Sequence, residues 1–260
     1  MSRFYAFLLL LGLAAGSACA ATVQVCADQA EMPPLVFAER ADGHRSDKVV
    51  GASVDLLKLI GARYGWQVSV QLLPWARCLA LVADHRMDLA LNAGQTDAGS
   101  KLALSDVYFT MHNVYFYSRR ARPQGLTLQK LSDALNYHLC GLGGYQFEAY
   151  GIPTSKVDRG VTVGYEQLIG KLHLGRCDLF IDSRETMAGQ YLINPKLRSL
   201  LVDGTLVSQP LPDSPLRPLY FAVAAGGADA AKLLQHLNEG LARLAKTHEL
   251  DKLLARYLEP

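Results

Sequence analysis

Arg86-Met87-Asp88-Leu89-Ala90-Leu91 and Arg176-Cys177-Asp178-Leu179-Phe180-Ile181 are the two stretches whose reading decides the fold. Each runs from a basic residue through an apolar one to Asp, then into a short apolar run. Each follows a segment with helical spacing of apolar residues and opens what reads as a buried strand. A six-residue echo of this kind points to two similar α/β units.

Working outward, Val23–Ala27 reads as an apolar strand and Ala52–Tyr64 as a helix, with Val54, Leu57, Leu59 and Ile60 at helical spacing. Gln67–Leu73 alternates as a strand, Trp75–Asp84 reads as a helix and Asp88–Leu91 as a strand. Strands separated by helices of this length pair in parallel through right-handed crossovers. The polar stretch Arg119-Arg120-Ala121-Arg122-Pro123-Gln124-Gly125 has linker character. Beyond it, Tyr137–Cys140 reads as a strand, Tyr145–Tyr150 as the start of a helix, Val163–Leu174 as a helix and Asp178–Asp182 as a strand. Val107–Ser118 is one β-type run, longer than a typical strand, and is predicted to pass between the units. Leu219–Ala224 is a second apolar strand, and Ala230–Leu244 and Leu250–Leu258 read as amphipathic helices. Two crossings would form a double-stranded hinge, with the final helices returning to the first unit.

Residues 1–20 read as an export signal: Arg3, an apolar run from Phe4 to Ala15 too short to span a bilayer, and Ala18-Cys19-Ala20 at the cleavage position. The mature chain is expected to start at Ala21. A rival reading makes Cys19 a lipid-anchor site, although Gly16 stands where such signals favour Leu. Half of the 260 residues are hydrophobic, enough for a sizeable core, and the net charge of +2 gathers into no basic face. Nucleic acid and anionic membrane surfaces are therefore not implied. Cys26, Cys78, Cys140 and Cys177 remain after cleavage, an even count that in an exported chain argues for disulfides, with three possible connectivities. No pair has the close spacing of a zinc site, and no metal or other cofactor is expected.

A set of motifs runs in order along the chain: Val25-Cys26-Ala27-Asp28 through Pro33-Pro34, Gly51-Ala52-Ser53-Val54-Asp55-Leu56-Leu57 and Leu73-Pro74-Trp75-Ala76-Arg77-Cys78. They continue with Met87-Asp88-Leu89-Ala90-Leu91, Ser105-Asp106-Val107-Tyr108-Phe109, Gly143-Gly144-Tyr145 and Cys177-Asp178-Leu179-Phe180-Ile181-Asp182. Together they resemble bacterial extracellular solute-binding proteins of family 3, the periplasmic binding proteins of polar amino-acid ABC importers. The resemblance implies an α/β, two-lobed, type II periplasmic-binding-protein-like fold with a two-stranded hinge and a ligand cleft between lobes. On that plan residues 21–113 plus 223–260 form one lobe and 114–222 the other. The lobe plan predicts disulfides Cys26–Cys78 and Cys140–Cys177, one inside each lobe. It also implies a periplasmic monomer with a small-molecule ligand and an ABC permease as partners.

Carried over position by position, the resemblance places Trp75 at the ligand-facing start of a first-lobe helix and Asn92 and Thr96 in the loop after a first-lobe strand. Tyr145 and Gln146 would open a second-lobe helix, and Asp182 would meet a ligand amine. The residues themselves support several of these placements. Gly141-Leu142-Gly143-Gly144-Tyr145-Gln146 follows a strand, so a helix N-terminus there would expose N–H groups, although a plain glycine-rich turn fits too. Asp182 ends an apolar strand, where α/β sheets place ligand sites; the alternative is a helix cap, a role Ser183 could fill. Trp75 offers a flat face to a cation, or covers a sheet edge. Arg77 and Arg184 are anion-binding candidates or solvated helix residues, and Glu31 is a candidate partner for a cation.

Relatives that bind free amino acids usually carry an Arg shortly after the position of Thr96, clamping the α-carboxylate. Here Thr96-Asp97-Ala98-Gly99-Ser100-Lys101 lacks it, and a point charge such as Lys101 does not reproduce a bidentate fork. The family's aromatic near the first strand is replaced by Glu31 or Met32. The chain reads as capturing a small polar, amino-acid-like or amine-bearing molecule, and the inventory suits a cationic or amine-bearing ligand without a free α-carboxylate better than glutamate or aspartate. No Gly-x-Ser-x-Gly elbow, Walker loop or metal-spaced His pair points to catalysis, and the chain reads as a non-enzyme. The alternatives are a cyclohexadienyl-type dehydratase on the same fold, which would bind carboxylates through several Arg, and a ligand-sensing module.

Overall fold

The structure is a computed structural model that describes residues 21–258, except 42, 43, 144, 146, 163, 195 and 198–203. Residues 1–20, and with them the signal and Cys19, lie outside the described residues, as does Gln146.

In chain order the first elements are β1 (Thr22–Asp28), β2 (Phe37–Ala41), β3 (His44–Val50), α1 (Ala52–Gly61), β4 (Gln67–Leu73), α2 (Trp75–Ala83) and β5 (Leu89–Ala93). Then come β6 (Leu102–Leu104), β7 (Phe109–Met111), β8 (Asn113–Ser118), β9 (Leu139–Cys140), β10 (Val157–Asp158), α3 (Tyr165–His173) and β11 (Leu179–Ser183). The chain finishes with α4 (Arg184–Ile193), β12 (Leu206–Pro210), β13 (Arg217–Ala224), α5 (Ala228–Lys246) and α6 (Glu249–Leu258).

Two separate sheets organise these elements. The first runs β4-β1-β5-β13-β6, with β7 also pairing β13; the second runs β10-β9-β11-β8-β12. β1 pairs in parallel with both β4 and β5, the arrangement that intervening helices α1 and α2 impose. Helices and loops cover each sheet on both faces. Leu56, Leu57, Ile60, Phe221, Leu237 and Leu241 fill one side of the first sheet, and Cys26, Cys78, Val82 and Ala222 the other. In the second sheet Phe116, Phe180, Leu168 and Ile169 pack on one side and Tyr115, Leu139, Tyr150 and Leu179 on the other. Each lobe thus has its own core. The disulfides are Cys26–Cys78 and Cys140–Cys177, one beneath each sheet, closing sequence separations of 52 and 37 residues.

Three sequence expectations change. The run 107–118 is not one strand: β7 belongs to the first sheet and β8 to the second. The break falls at His112, whose backbone N–H goes to the Glu185 carboxylate (2.9 Å) and whose C=O accepts the Arg184 N–H (2.8 Å), so neither serves a ladder. The return connection is 211–216, tied to the outgoing one by Leu211 N–H to Asn113 O (3.0 Å) and Asn113 Nδ2 to Pro215 O (2.9 Å). β13 lies wholly in the first sheet, so the break expected at 222/223 falls inside this strand.

The second change concerns Tyr145–Tyr150: its described residues form no α-helix but a 3-10 turn at Glu148–Tyr150, ended by Gly151 at φ 77°. Gly141 lies against the Phe147 ring, where a Cβ would sit 2.4 Å from Cζ, and the Phe147 N–H is held by Thr154 Oγ1 (2.7 Å). The chain is pinned before a helix can propagate. Finally, the β2–β3 hairpin was not expected, because its exposed second strand HRSDKVV carries no alternation.

Replacing both cysteines of either pair by alanine is expected to lower the unfolding free energy by about 2–4 kcal/mol, with the larger loss at Cys26–Cys78. Urea denaturation of the two double variants measures this, and unchanged midpoints would refute a constraining role.

Candidate ligand-binding cleft

Asp182 stands at the C-terminal end of β11 and is 4 % exposed. Ser183, not Asp182, caps α4, its Oγ accepting the Thr186 N–H at 3.0 Å. The Asp182 carboxylate is therefore left for other partners. Oδ1 accepts the Ser183 N–H (2.7 Å) and the Tyr150 hydroxyl (3.2 Å), and Oδ2 accepts the Tyr165 hydroxyl (2.6 Å). Burial raises its pKa, against the opposing pull of Tyr165, the Ser183 N–H, Arg217 and Tyr150. Burial and then the Asp182 charge push the Tyr165 and Tyr150 hydroxyls up as well, which keeps both as neutral donors.

Tyr145, 44 % exposed, stands over this group. Burial and then the charges of Asp182 and Asp28 raise the pKa of its hydroxyl, against the opposing effect of Tyr165. Asp28 belongs to the first lobe, so a charge from that lobe acts on this second-lobe tyrosine. Arg217, the first residue of β13, lays its guanidinium 4.5 Å from the Tyr150 ring centroid.

On the first-lobe side, Asp28, Met32, Val36, Trp75, Leu91, Asn92 and Asp97 line a cavity of about 130 Å³ at the C-terminal ends of β1 and β5. Trp75 opens α2 after Pro74 and donates its indole N–H to Asp97 Oδ1 (3.2 Å), while Asp97 Oδ2 accepts the Gly94 N–H (2.7 Å). Asn92 sits at φ 59°, its Oδ1 accepting Ser53 Oγ (2.7 Å) and the Tyr108 hydroxyl. Its buried Nδ2 has no hydrogen-bond partner among the described residues.

The structure thus brings together Asp182 and Tyr145 on one wall and Trp75 and Asn92 on the other. Thr96 is exposed in the 3-10 turn Gln95–Asp97, and Arg77 is exposed on α2. Glu31 is spent within the first lobe: its carboxylate meets Arg40 at 2.7 Å and Arg45 at 3.3 Å and accepts the Ala38 N–H at 2.7 Å. Burial would raise its pKa, but Arg40 and Ala38 outweigh burial and lower it. Arg184 pairs with Glu185 at 3.1 Å. Asp28, Asp97, Tyr150, Tyr165 and Arg217 escaped the sequence reading; Asp28 alone, ending the first strand as Asp182 ends its own, carried a signal. The described side chains at metal-ligating spacing, His138, Cys140 and Asp158, have the Cys140 sulfur tied up in a disulfide.

The walls touch. Gly189 of α4 lies against the Pro33 loop so closely that a Cβ would stand 2.1 Å from the Pro33 carbonyl carbon and oxygen. The model for bacterial extracellular solute-binding proteins, family 3, matches residues 23–260. The chain belongs to that family. Solved structures similar to this family 3 protein include the amino acid ABC transporter substrate-binding protein AbpA from Streptococcus pneumoniae bound to L-arginine (TM-score 0.64, 19 % identity, covering 92 % of this chain and 95 % of that one). A histidine kinase sensor domain with similarity to periplasmic binding proteins follows the same path (0.62, 21 %, 92 % and 95 %). So does an ancestral amino-acid-binding protein described as a precursor of cyclohexadienyl dehydratase (0.62, 17 %, 92 % and 96 %). No curated protein matches the sequence. At these identities the likeness establishes the type II binding-protein fold, and the family establishes solute binding. Among the described residues no helix is long and apolar enough to cross a membrane.

Gly189→Ala is expected to hold α4 off the Pro33 loop. Ala also favours the helix over Gly by about 1 kcal/mol, so the melting temperature of the ligand-free protein should stay level or rise. Small-angle scattering should show the variant less compact than the parent under identical conditions. Equal compaction would mean that the contact does not govern closure.

Proposed function

We propose that this family 3 protein captures a small, polar, amine-bearing molecule between its lobes in the periplasm and delivers it to an ABC importer. The observation that carries the reading is Asp182: a buried carboxylate at a strand end, fixed by three donors and set among Tyr145, Tyr150 and Tyr165. Three donors leave an acceptor position of Oδ2 open to an ammonium. Aromatic faces and a low-dielectric wall strengthen a cation's attraction there. Trp75, with Asp28 and Asp97 beside it, gives the opposite wall the same preference. The lobes hinge at His112 and 211–216, and the monomer closes as α4 meets the Pro33 loop. Export through the signal at 1–20 and release to a permease follow from the family's extracellular role.

Thermal-shift and calorimetric screening of an amine library tests the reading, since stabilisation grows with ligand concentration over Kd. Asp182→Asn is expected to weaken the best amine on the order of a hundredfold. A cation needs Asp182 ionised, so binding by the parent should strengthen as pH rises through the raised Asp182 pKa. The Asn variant should lose that dependence. Unchanged affinity in Asp182→Asn, or turnover of prephenate with no amine bound, would overturn the proposal.

A further inference from the structure

A second cavity, of about 360 Å³, lies at the crossing between the two sheets. Its walls come from both connections: Met111, Asn113 and Val114 on the outgoing one, Pro210, Pro215 and Leu216 on the return. It shares no residue with the first-lobe cavity beside Trp75 or with the group around Asp182. The lining is largely apolar, and Leu216 is 81 % exposed, a large side chain that the fold leaves uncovered. Asn113 supplies the polar group. It is 8 % exposed, and its Nδ2 donates to Pro215 O at 2.9 Å. A carbonyl oxygen only accepts, so this bond fixes which end of the amide is the oxygen. That Oδ1 is buried and has no hydrogen-bond partner among the described residues. A buried acceptor left unmet is costly, and a bound molecule that brings an N–H or O–H removes the cost. The charges at the crossing are already matched, Glu185 with His112 and Arg184, so an uncharged molecule suits the cavity better than an ion. Its volume is that of a modest ligand pocket.

We infer that this cavity is a second binding site, for a small uncharged molecule with an apolar body and one hydrogen-bond donor. Its occupant holds the sheets in the arrangement in which α4 meets the Pro33 loop. The cavity has its present shape in that arrangement. Thr110 and Met111 line it from β7, which pairs in the first sheet, whereas Val114 and Ser208 line it from β8 and β12 of the second. Rotation of one sheet against the other therefore reshapes it. A molecule that fits one arrangement better than another shifts the population toward it by that difference in affinity. Seated at the crossing, it acts on closure without competing for the cleft, whatever the cleft takes.

Indole and phenol are the probes, with benzofuran and toluene as partners of matching shape that lack the donor. Calorimetry on the parent should show indole held about 10-fold or more tighter than benzofuran, and phenol likewise against toluene. The partners are the more apolar of each pair, so burial alone would favour them. Ser208 is exposed on β12, and Ser208→Trp, which fills the cavity, should remove indole binding. Small-angle scattering of the parent without any other solute should show it more compact at saturating indole, and Ser208→Trp should show no change. Equal affinities within both pairs, as a water molecule serving Asn113 Oδ1 would give, would overturn the inference. So would binding of neither probe, undiminished indole binding in Ser208→Trp, or unchanged scattering of the parent at saturation. If Ser208→Trp fails to fold, Leu216→Trp at the exposed edge takes its place, and undiminished binding there is the overturning result.

Discussion

The fold turns on one buried carboxylate. Glu185 is fully buried where the chain leaves the first sheet for the second, and it accepts the His112 N–H (2.9 Å), His112 Nδ1 (2.8 Å) and the Arg184 Nε and Nη2 (3.3 and 3.1 Å). A buried carboxylate is tolerated only when it is met in this way. These bonds, with Arg184 N–H to His112 O, take up the backbone groups that would have continued β7 into β8 as a single ladder. The strand is split, the two halves enter different sheets, and a cleft exists because of it. Glu185 lies in the first turn of α4, the helix that carries Gly189 to the Pro33 loop, so the crossing between the sheets and the contact with that loop share one element.

The division of labour between rigid and movable parts follows from the same plan. Each lobe has cores on both sheet faces and a disulfide beneath, whereas the connections rest on a handful of hydrogen bonds around His112, Asn113, Leu211 and Pro215. Breaking those few costs far less than repacking a core, so the proposed closure would concentrate there. The groups of the proposed site belong to the rigid parts: Asp28 and Asn92 on β1 and β5, Asp182 on β11. On the proposed function, a ligand would meet two preformed half-sites.

Much of this was legible in the residues, because the core strands and helices state their periods openly. Val25, Ala27, Leu89 and Leu91 form buried strands, and Val54, Leu57 and Ile60 a buried helix stripe, each where spacing places it. Asp182 and Trp75 were legible since strand ends and helix starts are where α/β folds expose chemistry. What stayed hidden depends on distance in the chain. Nothing near Glu31 announces that Arg40, nine residues on, takes its carboxylate into a hairpin whose outer strand is polar from His44 to Lys48. Tyr150 lies in a segment with helical spacing that Phe147 and Thr154 hold in another conformation. Arg217 sits among prolines and reads as a connector until the return strand is seen to begin with it.

The place of β13 has a consequence for how the protein is made. It is the strand between β5 and β6 in the first sheet, yet it is drawn from the last fifth of the chain. Until it arrives, β5 presents a bare edge of unpaired backbone, and the helices α5 and α6 that shield that sheet are still to come. The second sheet suffers no such delay, since β8 to β12 are contiguous in the chain. A chain entering an extracytoplasmic compartment from its N-terminus would complete the later lobe first. The earlier one would wait, edge exposed, in the keeping of whatever factors hold unfolded exports apart.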